Sequence, residues 1–501
     1  MTGTSAGWVD GATVEQIAER LHSAGHRVEI VGDGARVVRG ITHDSRRVDA
    51  GNVFACFRGG HSDGHDHAPD AVASGAGALL VDHVLDGVGD VPQLVVGDTR
   101  VAAGPASAIA WGDPDAKLVT IGITGTNGKT TTAQMVAAMF EAAGVSCGVI
   151  GTLHGPRTTP EAPDLHRMLR EFVEAGHRAV VMEVSSHALE LHRVDGTAFD
   201  VVAFTNFGHD HLDLHGSPEA YFRAKARLFS STFASVAVVN VDDVHGRLIA
   251  DTARTDTTPG RSGAPIRVVE VSRAEARDAV VGSDRHEYSW HDRPVVVGVG
   301  GDFNVDNSLI ALRIVEQSLV ADIDRAIAGL ASMGAVPGRF EIVAHPVAAA
   351  RGITVVVDYA HTPDGLSVVL ESARRITDAR VISVFGCAGR RDREKRPVMG
   401  EVAARLSDVA VATSDNPRGE DPDDILDDVL AGVAEQYRSR VTRQPDRRLA
   451  IRAALATAER NDIVVIAGKG HETSQDLGPT VVEFDDRLVA REELSNAQDA
   501  S

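Results

Sequence analysis

The sequence predicts an α/β protein of several domains, and three observations predict it. Short apolar runs recur along the chain, most are followed by an Ala-rich amphipathic stretch, and chemically suggestive residues cluster where the runs end. The runs are KLVTIGITG (117–125), RAVVMEVSS (178–186), FDVVAFTN (199–206), SVAVVNVDD (235–243), ITVVVDYAH (353–361), RVISVFGCAG (380–389), DVAVATSDN (408–416) and DIVVIAGKG (462–470). Each reads as a strand buried on both faces, and strand–helix alternation of this kind implies parallel sheets. Helical periodicity follows in TTTAQMVAAMFEAAG (130–144) and DGLSVVLESARRI (364–376). Ligands of such sheets bind beyond the carboxyl ends of the strands.

A chain of 501 residues exceeds one hydrophobic core, so two to four domains are expected. Soft boundaries fall near 97, after PQLVVGD, and near 339, at AVPGRFE; residues 255–300 are polar and read as a peripheral, strand-rich excursion. Hydrophobic residues make up 43% and charged residues 24%, which is ordinary for a globular protein. No run approaches the roughly 18 apolar residues that span a bilayer, and the N-terminus has no basic-then-apolar signal pattern. A cytoplasmic protein without a membrane partner is the expectation. Cys56, Cys147 and Cys387 are far apart and in no metal-binding spacing, so they read as small buried hydrophobes. The net charge of −21 argues against a nucleic-acid partner. An anionic nucleotide therefore needs a local basic cleft, for which Arg390, Arg391, Arg393, Lys395 and Arg396 are a candidate wall.

TGTNGKTTT (124–132) joins a strand to a helix. Gly125 and Gly128 let the amides of Thr126 and Asn127 turn toward phosphate oxygens, and the helix N-terminus at Thr130 and Thr131 adds its positive end. Lys129 would neutralise the terminal phosphates of ATP, and Thr130 would offer its hydroxyl to Mg²⁺. Ile123 stands where the strict Walker pattern has glycine. Glu183 ends a second strand, and Asn206, His209, Asp210, His211, Asp213 and His215 follow a third. Hard oxygens suit Mg²⁺, so Glu183 with Thr130 could hold one ion. The histidines also resemble a zinc site, but no three-histidine geometry is forced. Lys225 lies on an amphipathic helix, where the simplest reading is a solvated lysine.

Taken together, the motifs resemble those of the Mur ligases over the whole chain. They are THDSR (42–46), TGTNGKTTT, TTPEAPD (158–164), EVSSHAL (183–189), DHLDLHG (210–216), GDFNVDN (301–307), GRFE (338–341), DYAHTPD (358–364), GCAGRRDREKRP (386–397), SDNPRGEDP (414–422) and AGKGHE (467–472). The resemblance implies a three-domain architecture: a UDP-binding domain (1–97), a central P-loop ATPase domain (98–338) and a C-terminal Rossmann-like domain (339–501) that brings an amino acid. It implies a monomeric, ATP- and Mg²⁺-dependent ligase that extends UDP-N-acetylmuramoyl-L-Ala-D-Glu through an acyl phosphate. A relative acting on lysine or on a folate, or a nucleotide-binding regulator that lost its chemistry, are the other readings.

Carried over by position, Ser45, Arg46, His61, Ser62 and Asp63 would face the uridine end, and Thr158, Thr159, Ser185 and Arg193 the muramoyl dipeptide. Asn304, Arg339, Asp358 and His361 would serve the adenine nucleotide and domain closure. Lys129, His211 and a carbamylated Lys225 would be catalytic, the last two holding a second Mg²⁺. Arg391, Asp415, Asn416, Pro417, Arg418, Gly468 and Glu472 would bind the amino acid. The DNPR signature points to meso-diaminopimelate, because Arg418 can pair bidentately with its far carboxylate and Glu472 with its far ammonium. Leu191, Gly208 and Ala388 depart from the commoner Gln, Ser and Gly of the family pattern.

Overall fold

The computed structural model describes residues 11–60, 62–208, 210, 212–260 and 263–499. Three α/β units follow one another. In the first, a five-stranded sheet runs in the order Val28–Val31, Gln93–Val96, Ala78–Val81, Val53–Ala55, Ile41–Thr42, and is parallel except for its first pair.

The second unit carries six parallel strands, ordered Arg267–Val271, Ala234–Asn240, Phe199–Phe204, Val119–Thr124, Ala179–Glu183, Cys147–Ile150. After Val119–Thr124 the chain builds first toward one edge and then toward the other. The crevice beyond this strand is therefore the switch point where such sheets take ligands. Helices Lys129–Ala142 and Phe303–Ser318 cover one face through Met135, Val136, Leu309 and Leu312. Helices Ala162–Glu174 and Val244–Thr255 cover the other through Leu165, Leu169 and Ile249. Burial on both faces explains why these strands are apolar without alternation.

The 255–300 segment is less peripheral than its composition suggests. Arg267–Val271 is the edge strand of the central sheet. Arg277–Val281, His286–Trp290 and Arg293–Val297 form an antiparallel sheet whose Tyr288, Trp290, Val295 and Val297 pack into the central core. Alternation hides this face among polar neighbours, as expected for a sheet wetted on one side.

The third unit orders its strands Glu341–Ile342, Thr354–Asp358, Ile463–Ala467, Val381–Cys387, Val409–Ser414, Val441–Arg443, with only the first antiparallel. One buried ion pair pins its ligand-facing edge. Arg447 meets Asp486 at 2.8 and 2.6 Å, both side chains fully buried. The same guanidinium donates to the carbonyls of Ser414 and Ala467, the last residues of the two strands that flank Val381–Cys387. The loops that leave those strands are thus fixed side by side. Cys56, Cys147 and Cys387 are buried and unpaired, and among the described residues no helix is long and apolar enough to cross a membrane.

Asp486→Ala should lower stability by about 3–5 kcal/mol in denaturant unfolding, because it leaves Arg447 buried without its partner. A loss below about 1 kcal/mol would contradict the pinning role.

Candidate active site

The loop after Val119–Thr124 turns on two glycines with φ of +145° at Gly125 and +88° at Gly128. A Cβ at Gly125 would collide with Thr205 Oγ1, and one at Gly128 with Asn307 Oδ1. Side chains of the flanking segments hold the loop. Asn206 Oδ1 accepts from the Asn127 amide at 2.9 Å, Thr205 Oγ1 donates to the Asn127 carbonyl at 2.6 Å, and the Thr126 and Tyr221 hydroxyls lie 3.1 Å apart. Thr131 is buried in the first turn of the helix.

Two lysines converge on one backbone oxygen here. Lys129 Nζ donates to the carbonyls of Gly125 and Thr126, both at 2.9 Å. Lys225 Nζ donates to the same Gly125 carbonyl at 2.9 Å and rests 4.4 Å from the centre of the Tyr221 ring. Lys225 is 1% exposed, so it is not a solvated helix lysine. Burial, with the Lys129 ammonium second, drives its pKa well below the usual lysine value. Burial also lowers Lys129, against the attraction of Glu183 and Asp210.

Glu183, 2% exposed, accepts from the Thr130 hydroxyl at 2.8 Å and from the Thr152 amide at 2.8 Å. Thr130 and Glu183 therefore present adjacent hard oxygens beside the loop, a donor set that fits Mg²⁺. His211 lies outside the described residues. Next to Glu183, Thr159 Oγ1 donates to its carbonyl at 2.8 Å and accepts from the Ser185 amide at 3.1 Å, while Thr158 and Thr152 share a hydroxyl contact of 3.0 Å. Arg193 bonds the Thr159 carbonyl at 3.3 Å and Glu161 at 3.0 Å. Glu161 is also paired with Arg100 at 2.8 Å and Arg157 at 2.6 Å. Three guanidinium groups around one carboxylate leave a local excess of positive charge beside Thr159 and Ser185, within a chain that is acidic overall.

Asn304 is fully buried, donating to the Gly300 carbonyl at 2.6 Å and accepting from Asn307 at 2.8 Å; it is Asn307 that abuts the loop. Asp358 accepts from the amides of Phe340 and Ala360 at 2.7 and 2.8 Å, which fixes the turn carrying Arg339; burial pushes its carboxyl up. Arg339 packs 4.4 Å over Tyr359 and reaches Thr130 Oγ1 at 3.5 Å, bridging the third unit to the phosphate loop.

His361 faces a cavity of about 570 Å³ between the second and third units. The cavity is lined by Asp210 and His187 from one side and by Arg391, Asp415, Asn416, Arg418, Gly468 and Glu472 from the other. All but one of the residues predicted for the amino acid thus line one space; Pro417 does not. Asp210 links this space to the loop, since its charge acts on Lys129 and Lys225 as well as on His361. Arg418 has φ +53°, and its amide donates to the Asp476 carbonyl at 3.0 Å. Its guanidinium stands 3.7 Å from Asp476, too far for a tight hydrogen bond.

The Arg-rich stretch is not a continuous basic wall. Arg396 is fully buried in a fork with Glu420 (2.8 Å to each oxygen) and Asp428 (2.9 Å), and Arg393 also pairs with Asp428. Only Arg391 and Lys395 line the cavity. A Cβ at Gly208 would stand 2.6 Å from Asp364 Oδ2, so a larger residue there would displace the Asp364 side chain.

The described residues predicted for the uridine end sit on two short turns of the first unit. Arg46 is 86% exposed on its side chain and paired with Asp44, and Ser45 opens the same short turn. Ser62 meets His67 at 2.9 Å, and Asp63 caps the turn at His65. His61 lies outside the described residues. His65, Asp82 and His83 bring possible metal-ligating atoms within 4.8 Å. Arg58 already binds both Asp82 oxygens, so the cluster reads as a polar network.

Three family models match the chain: the Mur ligase family, catalytic domain at 37–98, the Mur ligase middle domain at 123–315 and the Mur ligase, glutamate ligase domain at 338–470. Among curated proteins, the UDP-N-acetylmuramoyl-L-alanyl-D-glutamate–2,6-diaminopimelate ligase of Syntrophomonas wolfei is 40% identical, over 92% of this chain and 95% of its own length. The same-named protein of Gloeobacter violaceus is 42% identical, over 91% and 94%. A solved structure of that name is 31% identical and covers 97% of this chain and 99% of its own, with a TM-score of 0.66.

Proposed function

We propose, from the premise that this chain belongs to the Mur ligase family, that it joins meso-diaminopimelate to UDP-N-acetylmuramoyl-L-Ala-D-Glu at the expense of ATP. The reaction serves peptidoglycan synthesis in the cytoplasm. The observation that carries the reading is the shared cavity, where the DNPR and GKGHE segments meet Asp210 beside the phosphate loop. The domain spans 1–97, 98–338 and 339–501 are read as the binders of the uridine end, of ATP and of the amino acid.

In this mechanism the loop amides and Lys129 hold the ATP phosphates, and Lys129 steadies the charge that grows as the phosphoryl group moves. The side-chain carboxylate of the D-glutamate attacks the γ-phosphorus, ADP leaves, and an acyl phosphate results. Arg193 and its arginine neighbours suit the dipeptide carboxylates. The amine of diaminopimelate then attacks the acyl carbon, loses a proton and expels phosphate. Mg²⁺, held by Thr130 and Glu183, would supply positive charge at the phosphate oxygens. Arg339, spanning to Thr130, suits a part that closes the third unit over the loop and keeps water from the acyl phosphate.

Lys225 is read as carbamylated. A buried amine crowded by Lys129 gains from losing its proton, and the neutral amine is the form that attacks CO₂. Its nitrogen bonds the carbon, a proton leaves to solvent, and an anionic oxygen donor replaces a cation.

Phosphate release should require both the UDP-muramoyl dipeptide and meso-diaminopimelate and yield a tripeptide mass; L-lysine should not substitute, and Lys129→Ala should abolish turnover. Turnover with lysine alone, or with neither amino acid, would overturn the substrate assignment. Arg418→Ala should raise the KM for diaminopimelate on the order of ten- to a hundredfold while leaving that for ATP unchanged; unchanged diaminopimelate kinetics would refute its role. With ¹³C-bicarbonate, the wild type should show a carbamate ¹³C signal that Lys225→Arg lacks, and a signal that persists in the variant would refute the site.

A further inference from the structure

Lys469 belongs to none of the roles read from the sequence, yet it underlies the far end of the cavity. It stands between Gly468 (φ +120°) and Gly470 (φ +54°), where a Cβ at Gly470 would stand 2.7 Å from Tyr359 and 2.8 Å from the Gly338 carbonyl. The Gly-Lys-Gly turn resembles a phosphate-binding loop, but its lysine points inward and is 0% exposed. Lys469 Nζ lies 2.8 Å from Glu472 Oε2, 3.2 Å from Asn416 Oδ1 and 4.0 Å from Asp415 Oδ1.

Asn416 closes the network. Its Nδ2 donates to the same Glu472 oxygen at 2.9 Å, and its Oδ1 accepts the Asp476 amide at 2.9 Å. Only this amide orientation works, because a flip would set an NH₂ group against the Lys469 ammonium and the Asp476 N–H. Glu472 faces His471 and Lys469 on its own segment, Asp415 and Arg418 from the loop after Ser414, and Arg447 from its helix. Tyr359 and Arg391 face it from the other walls. Burial works to raise the Glu472 carboxyl, and Lys469, aided by Asn416, reverses this and holds it below the ordinary range.

We propose that Lys469 is the positioning residue of this pocket: it fixes Asn416 and Glu472 in one arrangement and supplies the buried counter-charge of Glu472. The cavity thereby selects an amino acid whose far end carries an ammonium beside its carboxylate. The inference rests on the diaminopimelate reading of the cavity. Without Lys469, burial would act on Glu472 without its main counter-charge, shifting it toward the protonated form and weakening its hold on an ammonium.

The test is the KM for meso-diaminopimelate of Lys469→Met relative to wild type, measured from about pH 6.5 to about pH 9. The expected ratio is on the order of ten- to a hundredfold at neutral pH, with kcat changed less than about threefold. Because losing Lys469 moves the Glu472 pKa upward, rising pH favours its carboxylate form, so the ratio should shrink toward high pH. A ratio that is flat with pH, or a loss in kcat alone, would overturn the proposal. Lys469→Met/Glu472→Gln removes both partners of the ion pair at once and guards against misfolding. Its KM should match that of Glu472→Gln alone, and an additive loss would count against the proposal. Failure of the wild type to use diaminopimelate sinks the substrate reading and this inference with it; wild-type turnover with a flat ratio sinks this inference alone.

Discussion

Two lysine side chains, Lys225 buried and Lys129 partly so, share the carbonyl oxygen of Gly125, and much of the central unit is arranged around that crowding. Like charges at such range repel strongly when water is excluded. Glu183 and Asp210 are the acids whose attraction bears on Lys129, while for Lys225 burial and repulsion outweigh Asp210. The loop that presents the carbonyl must therefore be held firmly. Thr205, Asn206, Asn307 and Tyr221 do so from three different segments, filling the spaces where a side chain at Gly125 or Gly128 would have to stand. In the proposed mechanism the same crowding favours the neutral Lys225 amine that attacks CO₂.

The third unit is organised by the complementary device, a fully paired buried cation. Arg447 satisfies Asp486 and two strand-end carbonyls, and so sets the DNPR and GKGHE loops side by side. Asp358 and Arg339 hold the neighbouring turn against the phosphate loop. The two units thus meet with one cavity between them, and Asp210 is felt on both sides of it. In a protein of net charge −21, positive charge is gathered by local arrangement, as in the three arginines around Glu161.

The parallel sheets were legible in the sequence because strands buried on both faces are unbroken apolar runs, and the phosphate loop because its glycines and lysine are contiguous. The cavity proposed for the amino acid was legible only through the resemblance, since Arg391, Asn416 and Glu472 are brought together from distant segments. What escaped has physical causes. Tyr288 and Trp290 alternate with polar residues and so looked peripheral. Arg396 looked like part of a basic wall because its partners Glu420 and Asp428 lie on a later segment. Asn307, Tyr221 and Lys469 act through contacts made across the fold, which no local spacing announces.

In the proposed mechanism an acyl phosphate forms at the phosphate loop before the amine attacks. The most direct measurement uses UDP-N-acetylmuramoyl-L-Ala-D-Glu carrying ¹⁸O in the D-glutamate side-chain carboxylate, with ATP and meso-diaminopimelate, and weighs the released phosphate. An acyl phosphate requires one ¹⁸O transferred to phosphate in each turnover; phosphate free of label, with tripeptide formed, would exclude it.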